Sequence, residues 1–266
     1  MSEIISSYKI RKIILEESKR AQVGHIGSAL SIADIISALF SNVLRIRDND
    51  DPDRDRFILS KGHSALAVYA AFYLKGWMTK ETLMTYCTDG SLLGAHPECT
   101  LKGVDFSTGS LGYGLSIGVG AALAGRLQQS SRHVFVLVSD AECNEGSLWE
   151  GVMFAAHHGL SNLIVIIDQN GQQAMGYTEQ ILNLSPIAER WQAFGWDTHE
   201  VDGHDVREII KTISGIDTTS GCPHVIIAHT IFGKGVSFME RKIKWHYWPM
   251  SDDEYRQALD EIREMK

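Results

Sequence analysis

Asp140 and Asn170 each stand just past the end of a wholly apolar run, residues 134–138 (VFVLV) and 163–167 (LIVII). One carboxylate beside a neutral amide and backbone oxygens makes a hard, lightly charged site. Such a site suits Mg²⁺ or Ca²⁺ shared with a diphosphate, because Mg²⁺ takes few protein carboxylates alongside phosphate oxygens. The same two residues also suit plainer duties, Asp140 capping the next helix and Asn170 shaping a turn. His25, His63 and His96 each sit in a glycine-flanked loop. Imidazole handles protons and oxyanions near neutral pH. A lone histidine is more often a surface or packing residue, but three in loops point to a cluster. No pair has the helical spacing of zinc ligands, so proton handling or phosphate contact is the better reading. Gly109-Ser110-Leu111-Gly112-Tyr113-Gly114 opens an Ala/Gly-rich helical stretch over residues 115–126. Its glycines admit close approach of a ligand or of another helix. As a dinucleotide fingerprint it is poor, since no apolar strand precedes it.

These groups need a frame. Strands apolar on both faces belong in the middle of a parallel sheet covered by helices. Between the two runs, Trp149, Val152, Met153 and Ala156 recur at helical spacing over residues 148–158, which completes a strand–helix–strand unit. Asp140 and Asn170 then lie beyond the carboxyl ends of neighbouring strands, where open parallel sheets bind ligands. Residues 57–60 predict a further short strand ending at Lys61-Gly62-His63, and residues 224–228 another. Ile10, Ile13, Ile14 and Ala21 share one face of an N-terminal helix that runs into a flexible break at residues 24–28. Ser31 and Asp34 read as a cap before Ile32, Ile35, Ile36, Leu39, Phe40 and Val43. Residues 47–56 read as a surface loop. Asp205 with Glu208, and Ser251 with Glu254, are two more cap signatures, the second before an inward Tyr255, Ala258, Leu259 and Ile262. The expected architecture is one doubly wound α/β domain over residues 1–266, a mainly parallel sheet with helices on both faces.

The 266 residues carry a formal net charge of −8. No basic stripe is present, which argues against a nucleic-acid partner. Cys87, Cys99, Cys143 and Cys222 lie far apart with no C-x-x-C pair, which fits reduced cytosolic thiols rather than a zinc or disulfide framework. The first twenty residues alternate charged and apolar types, unlike a signal peptide. No apolar run approaches the length of a membrane span. A cytoplasmic protein without membrane contact is expected.

Taken in order, six segments resemble the N-terminal half of transketolases. They are Gly24-His25-Ile26-Gly27, Ser60-Lys61-Gly62-His63, Gly94-Ala95-His96-Pro97-Glu98, Ser107-Thr108-Gly109-Ser110-Leu111-Gly112, Asp140 with Glu145-Gly146, and Asp168-x-Asn170. The likeness continues to Phe232-Gly233-Lys234-Gly235-Val236-Ser237-Phe238 and Trp245-His246. It implies the thiamine-diphosphate-binding fold and a transferase that moves a two-carbon glycolaldehyde unit from a ketose donor to an aldose acceptor, as in pentose phosphate metabolism. It implies thiamine diphosphate bound with Mg²⁺, or with Ca²⁺ or Mn²⁺, the metal held by Asp140, Asn170 and the backbone carbonyl of Gln172. His63 and His246 would touch the phosphates, and Gly109 and Leu111 the pyrimidine side. Ser110, Ala141 and Glu142 complete the implied cofactor set. His25 and His96 would face the substrate and, with His246, form the catalytic set, while Glu145 would lie at a subunit contact linking paired sites.

In this family the carboxylate that activates the aminopyrimidine comes from a second domain. The resemblance therefore implies a separate partner chain, the C-terminal transketolase subunit, in an α2β2 heterotetramer, with sugars or sugar phosphates as substrates. Three departures stand out. Ser139-Asp140-Ala141 replaces Gly-Asp-Gly, Tyr113 stands where glutamine is common, and His246 is followed by Tyr247-Trp248-Pro249-Met250. Tyr247 and Trp248 would pack against the partner or narrow the substrate mouth. Other readings are a subunit of a 2-oxo-acid dehydrogenase or a 1-deoxyxylulose-phosphate synthase, a non-catalytic paralogue, and, more weakly, a nicotinamide-dependent dehydrogenase.

Overall fold

The two apolar runs pair side by side in parallel, Val134 against Leu163 through Ser139 against Asp168. They form the middle of a five-stranded sheet in the computed structural model, which describes residues 5–265. The strands are β1 (Arg56–Leu59), β2 (Val134–Ser139), β3 (Leu163–Gln169), a short hairpin of β4 (Gln172–Gln173) and β5 (Gly176–Tyr177), then β6 (Asp197–Asp202) and β7 (His224–His229). The main sheet runs in the order β1-β2-β3-β7-β6, every pair parallel. Its helices begin with α1 (Ser7–Ala21), α2 (Ile26–Ser31), α3 (Ala33–Ala38), α4 (Ala65–Leu74) and α5 (Lys80–Leu83). They continue with α6 (Tyr113–Leu127), α7 (Gly146–His157), α8 (Thr178–Leu182), α9 (Ile187–Ala193), α10 (Val206–Ser214), α11 (Lys244–Tyr247) and α12 (Asp252–Arg263).

Because strand side chains alternate, each central strand feeds two cores. Phe57, Leu59, Phe135, Leu137, Ile164 and Ile166 pack on one face with residues of α1 to α4, α10 and α12. Ile58, Val134, Val136, Val138, Val165 and Ile167 pack on the other with α6, α7 and Trp191 of α9. Each fully buried aliphatic side chain contributes roughly 1.5–3 kcal/mol, so the loops at the strand ends hang from a stiff frame.

Some local expectations need correction. Ser31 and Asp34 form no cap. Ser31 ends α2, and its hydroxyl donates to Ser28 O at 2.9 Å and to Asp168 Oδ2 at 2.8 Å. Asp34 is buried against Arg11 and accepts from His204 Nδ1 at 2.8 Å. Residues 24–28 are no slack break, since His25 takes a left-handed conformation (φ 60°) and the chain is buried from Ile26 onward. The 47–56 segment ends in the interior, where Asp55 is fully buried and accepts from Arg45 N at 2.9 Å and His133 N at 2.8 Å. The Asp205 and Ser251 caps are present, the latter as a full capping box with Glu254.

Two elements lack a sequence signal. Helix α4 is apolar all round and buried on nearly every side, so it has no amphipathic period. Strand β6 is a half-exposed edge strand of polar residues. Its Asp197 accepts from His199 Nε2 and His224 Nδ1, both at 3.0 Å, which ties the edge to β7 at the end of the sheet opposite the rim loops. The three groups are close enough to share a cation, but the carboxylate already satisfies both rings by hydrogen bonds.

Candidate functional site

The loops after β1, β2, β3 and β7 all leave the same rim of the sheet. They enclose a cavity of about 210 Å³ lined by His25, His63, His96 and His246, with Lys61, Asn170 and Gln172 among the other walls. A larger, more open depression of about 640 Å³ adjoins it and shares His96 and Gly109. Close backbone approach makes the convergence possible. A Cβ on Gly27 would lie 2.1 Å from the Phe232 ring, and one on Gly24 would lie 2.5 Å from Tyr247 O. These glycines let α2 sit directly against the segments that carry Phe232 and His246.

Three imidazoles form a tight cluster. The ring centroids of His25, His63 and His246 are 5.0–5.3 Å apart. Ser28 Oγ bonds His63 Nε2 at 2.8 Å, and Phe232 stacks on His246. Burial, then the neighbouring His96 and Lys61, lowers the His25 pKa. Burial and Lys61 hold His63 well below its ordinary value. Burial, His25 and Lys61 pull His246 down to about 4. All three rings are therefore neutral at pH 7, with one donor and one acceptor nitrogen each. His25 Nδ1 and His246 Nδ1 are buried without a partner, which suits a polar ligand in the cavity.

The oxygen groups lie beside the histidines. Asp140 Oδ1 accepts from Ala141 N at 2.9 Å, and Oδ2 accepts from Gly171 N at 2.9 Å and Thr178 Oγ1 at 3.0 Å. An ionised carboxylate has about four lone-pair sites, so one remains open. Burial, and then the charge on Asp168, raises the Asp140 pKa to about 7. A nearby cation would relieve that cost. The helix cap here belongs to Ser139 and Glu142, not Asp140. Asn170 does shape a turn, its Oδ1 accepting from Gln172 N at 2.9 Å, and it also lines the cavity. Lys61 is the one cation at the wall among the described residues, and it is committed to Asp168. A diphosphate would thus meet neutral histidines and hard oxygen donors, a set that fits a divalent cation as the compensating charge.

The remaining predicted residues fall in different places. Gly109, Leu111 and Ala141 line the cavity. Ser110 and Tyr113 face the adjoining depression. Glu142 lies outside the cavity wall and is fully buried. Its carboxylate accepts from Ser60 Oγ, Gly112 N at 2.9 Å and Ser139 N at 2.9 Å, so it fixes the glycine-rich loop to the end of β2. Glu145 is exposed at the start of α7. Tyr247 and Trp248 are exposed, and Tyr247 Oη donates to Ala174 O at 2.6 Å. Sequence reasoning assigned no role to Ser28, Lys61 or Phe232, although Lys61 and Phe232 stand inside motifs already singled out.

Residues 3–262 match the family model described as "Transketolase, thiamine diphosphate binding domain". One chain of a two-chain apulose-4-phosphate transketolase from Phocaeicola vulgatus is 39% identical over 262 residues, 98% of this chain and 93% of that one. One chain of a 6-deoxy-6-sulfo-D-fructose transketolase from Clostridium sp. is 38% identical, covering 95% of this chain and 93% of that one. Among solved structures, transketolase from Campylobacter jejuni superposes with a TM-score of 0.90 at 29% identity, over 97% of this chain. The chain spans 42% of that longer polypeptide.

Proposed function

The chain belongs to the transketolase family through its thiamine-diphosphate-binding domain, and on that footing we propose that it is the cofactor-binding subunit of a two-chain transketolase, with the cofactor in the histidine-lined cavity. The reaction moves a two-carbon unit from a ketose to an aldose, with sugar phosphates as the substrate class. The observation that carries this reading is the meeting of Asp140, Asn170 and four histidines on one rim of the sheet. Thiamine diphosphate, when bound, supplies the nucleophilic carbon and the electron sink for breaking a carbon–carbon bond.

The chain's own residues would do the rest. Asp140, the Asn170 amide oxygen and the Gln172 carbonyl hold Mg²⁺, with Ca²⁺ or Mn²⁺ as substitutes. His63 and His246 donate to phosphate oxygens from neutral rings, and Ala141 N–H is a further donor beside them. Gly109, Ser110 and Leu111 face the pyrimidine side. His25 and His96 bind the sugar hydroxyls and move protons at the carbonyl oxygens of donor and acceptor. Glu142 acts from beneath by fixing the loop, and Glu145 belongs to a subunit contact.

A partner chain carries the pyrimidine-side domain, in an α2β2 assembly. Tyr113, Tyr247 and Trp248 are 60%, 56% and 63% exposed around the cavity and offer it an aromatic seat. The described residues include no helix long and apolar enough to cross a membrane, and the four free cysteines fit a reducing cytoplasm. Residues 1–266 act as one cofactor-binding domain. The test is to co-purify the tagged chain with its companion from native extract. The retained material is assayed for Mg²⁺- and thiamine-diphosphate-dependent two-carbon transfer between sugar phosphates. Transfer that requires both chains supports the reading. Full activity from this chain alone, or none from the assembled pair with any ketose donor, overturns it.

A further inference from the structure

We propose that Asp168 is the positioning residue that sets the Asn170 amide for its cation, with Lys61, Ser31 and Thr230 holding Asp168 in place. The inference rests on the reading of Asn170 as a metal ligand given above. Asp168 is fully buried in β3. Its Oδ1 accepts from Thr230 Oγ1, and its Oδ2 accepts from Lys61 Nζ, from Ser31 Oγ at 2.8 Å and from Asn170 Nδ2 at 2.8 Å. An ionised carboxylate offers about four lone-pair sites and no donor. All four are occupied, so Asp168 has nothing left to give a cation, although it stands only two residues from Asn170.

Its influence passes through the amide. An acceptor-only carboxylate can meet only the NH₂ end of Asn170. The backbone N–H of Gln172, a donor only, meets the oxygen end at 2.9 Å. Rotating the amide by half a turn would set oxygen against oxygen and N–H against N–H, leaving two buried groups unsatisfied at about 1–3 kcal/mol each. One orientation therefore survives, and in it Asn170 Oδ1 keeps a lone pair for a ligand. Without Asp168 the NH₂ end could occupy that position, and a cation would meet hydrogens.

The supports of Asp168 come from three other parts of the chain. Ser31 ends α2, Lys61 follows β1, and Thr230 follows β7. Lys61 is as buried as Asp168, so each charge compensates the other in a place where neither would persist alone. An unpaired buried carboxylate takes up a proton and becomes a donor itself. It could then face either end of the Asn170 amide, and the orientation would be lost. The ion pair thus keeps Asp168 in the form that reads only one end of its neighbour.

The experiment compares two double variants in the full chain together with its companion chain. Lys61→Met with Asp168→Leu removes the hub without leaving a buried charge. Lys61→Met with Asp168→Asn restores an amide oxygen that can accept from Asn170. Mn²⁺ binding at saturating thiamine diphosphate is followed by the paramagnetic resonance signal of free Mn²⁺, and folding by circular dichroism. The expected result is a loss of about 10–100-fold in Mn²⁺ affinity for the leucine variant, the usual range for groups that orient metal ligands. The asparagine variant should stay within a few-fold of the unmodified chain. A folded leucine variant with unchanged affinity overturns the inference, because a merely structural hub would lower stability and spare the metal. Should the leucine variant not fold, a folded asparagine variant that has lost Mn²⁺ overturns it equally, and one that keeps Mn²⁺ supports it. Failure of the unmodified assembly to bind Mn²⁺ with the cofactor is a different result, which overturns the metal-site reading itself.

Discussion

Acid should weaken the cofactor-free chain in a way that a single substitution relieves. The His246 imidazole, ordinarily near 6.5, is pulled to about 4 by burial, then by His25 and Lys61. The unfolded chain takes up this proton near pH 6.5, and the folded chain only near pH 4. The stability tied to the neutral ring is therefore complete above pH 6.5 and is lost as pH falls through 4. At about 1.36 kcal/mol per pKa unit the full loss is roughly 3.4 kcal/mol, and the part lost between pH 7 and pH 5 is roughly 2 kcal/mol. His246→Gln removes the titration and leaves His246 O, which accepts from His25 N at 3.1 Å, in the backbone. The expected outcome is a variant whose stability falls by about 2 kcal/mol less than wild type between those two pH values. Urea unfolding followed by circular dichroism, without metal or cofactor, measures it. The variant still loses stability in acid, because His25 and His63 are shifted in the same direction. Parallel pH dependence in the two proteins, within about 0.5 kcal/mol, would refute the argument that the cluster is held neutral by burial and mutual repulsion.

Three further outcomes follow from the same geometry. Asp140→Ala removes the carboxylate with an open lone pair, and calorimetry should find no Mg²⁺-dependent thiamine diphosphate binding in a chain that remains folded. His96→Ala should leave cofactor affinity near normal, while turnover in the assembled enzyme falls by something like 10²–10⁴-fold. Unchanged turnover would remove His96 from the site. Gly114→Ala places a Cβ 2.2 Å from Ser60 Oγ and 2.7 Å from Ser60 Cα. Overpacking of this kind costs about 1–3 kcal/mol, and a melting temperature equal to wild type would show that α6 can shift away from β1.

Much of this was legible in the residues alone. Val134 to Ser139 and Leu163 to Gln169 announce central parallel strands, because only a sheet covered on both faces makes every position apolar. Once those strands are adjacent, Asp140 and Asn170 must emerge at the same rim, and the ordered loop motifs supply the histidines around them. Local chemistry of this sort is written in short stretches of chain. Partnership between distant polar residues is not. Ser31 and Asp34 have the spacing of a cap, yet the fold buries both and gives one to Asp168 and the other to Arg11 and His204. Glu142 sits in a cofactor motif, but its oxygens are taken by Ser60, Gly112 and Ser139. Strand β6 is polar because it is an edge, and α4 lacks a period because it is buried all round. The pairing of Lys61 with Asp168, 107 residues apart, is decided only when four segments meet in the interior. There a charge must find its partner or be neutralised, and no spacing along the chain records which partner that is.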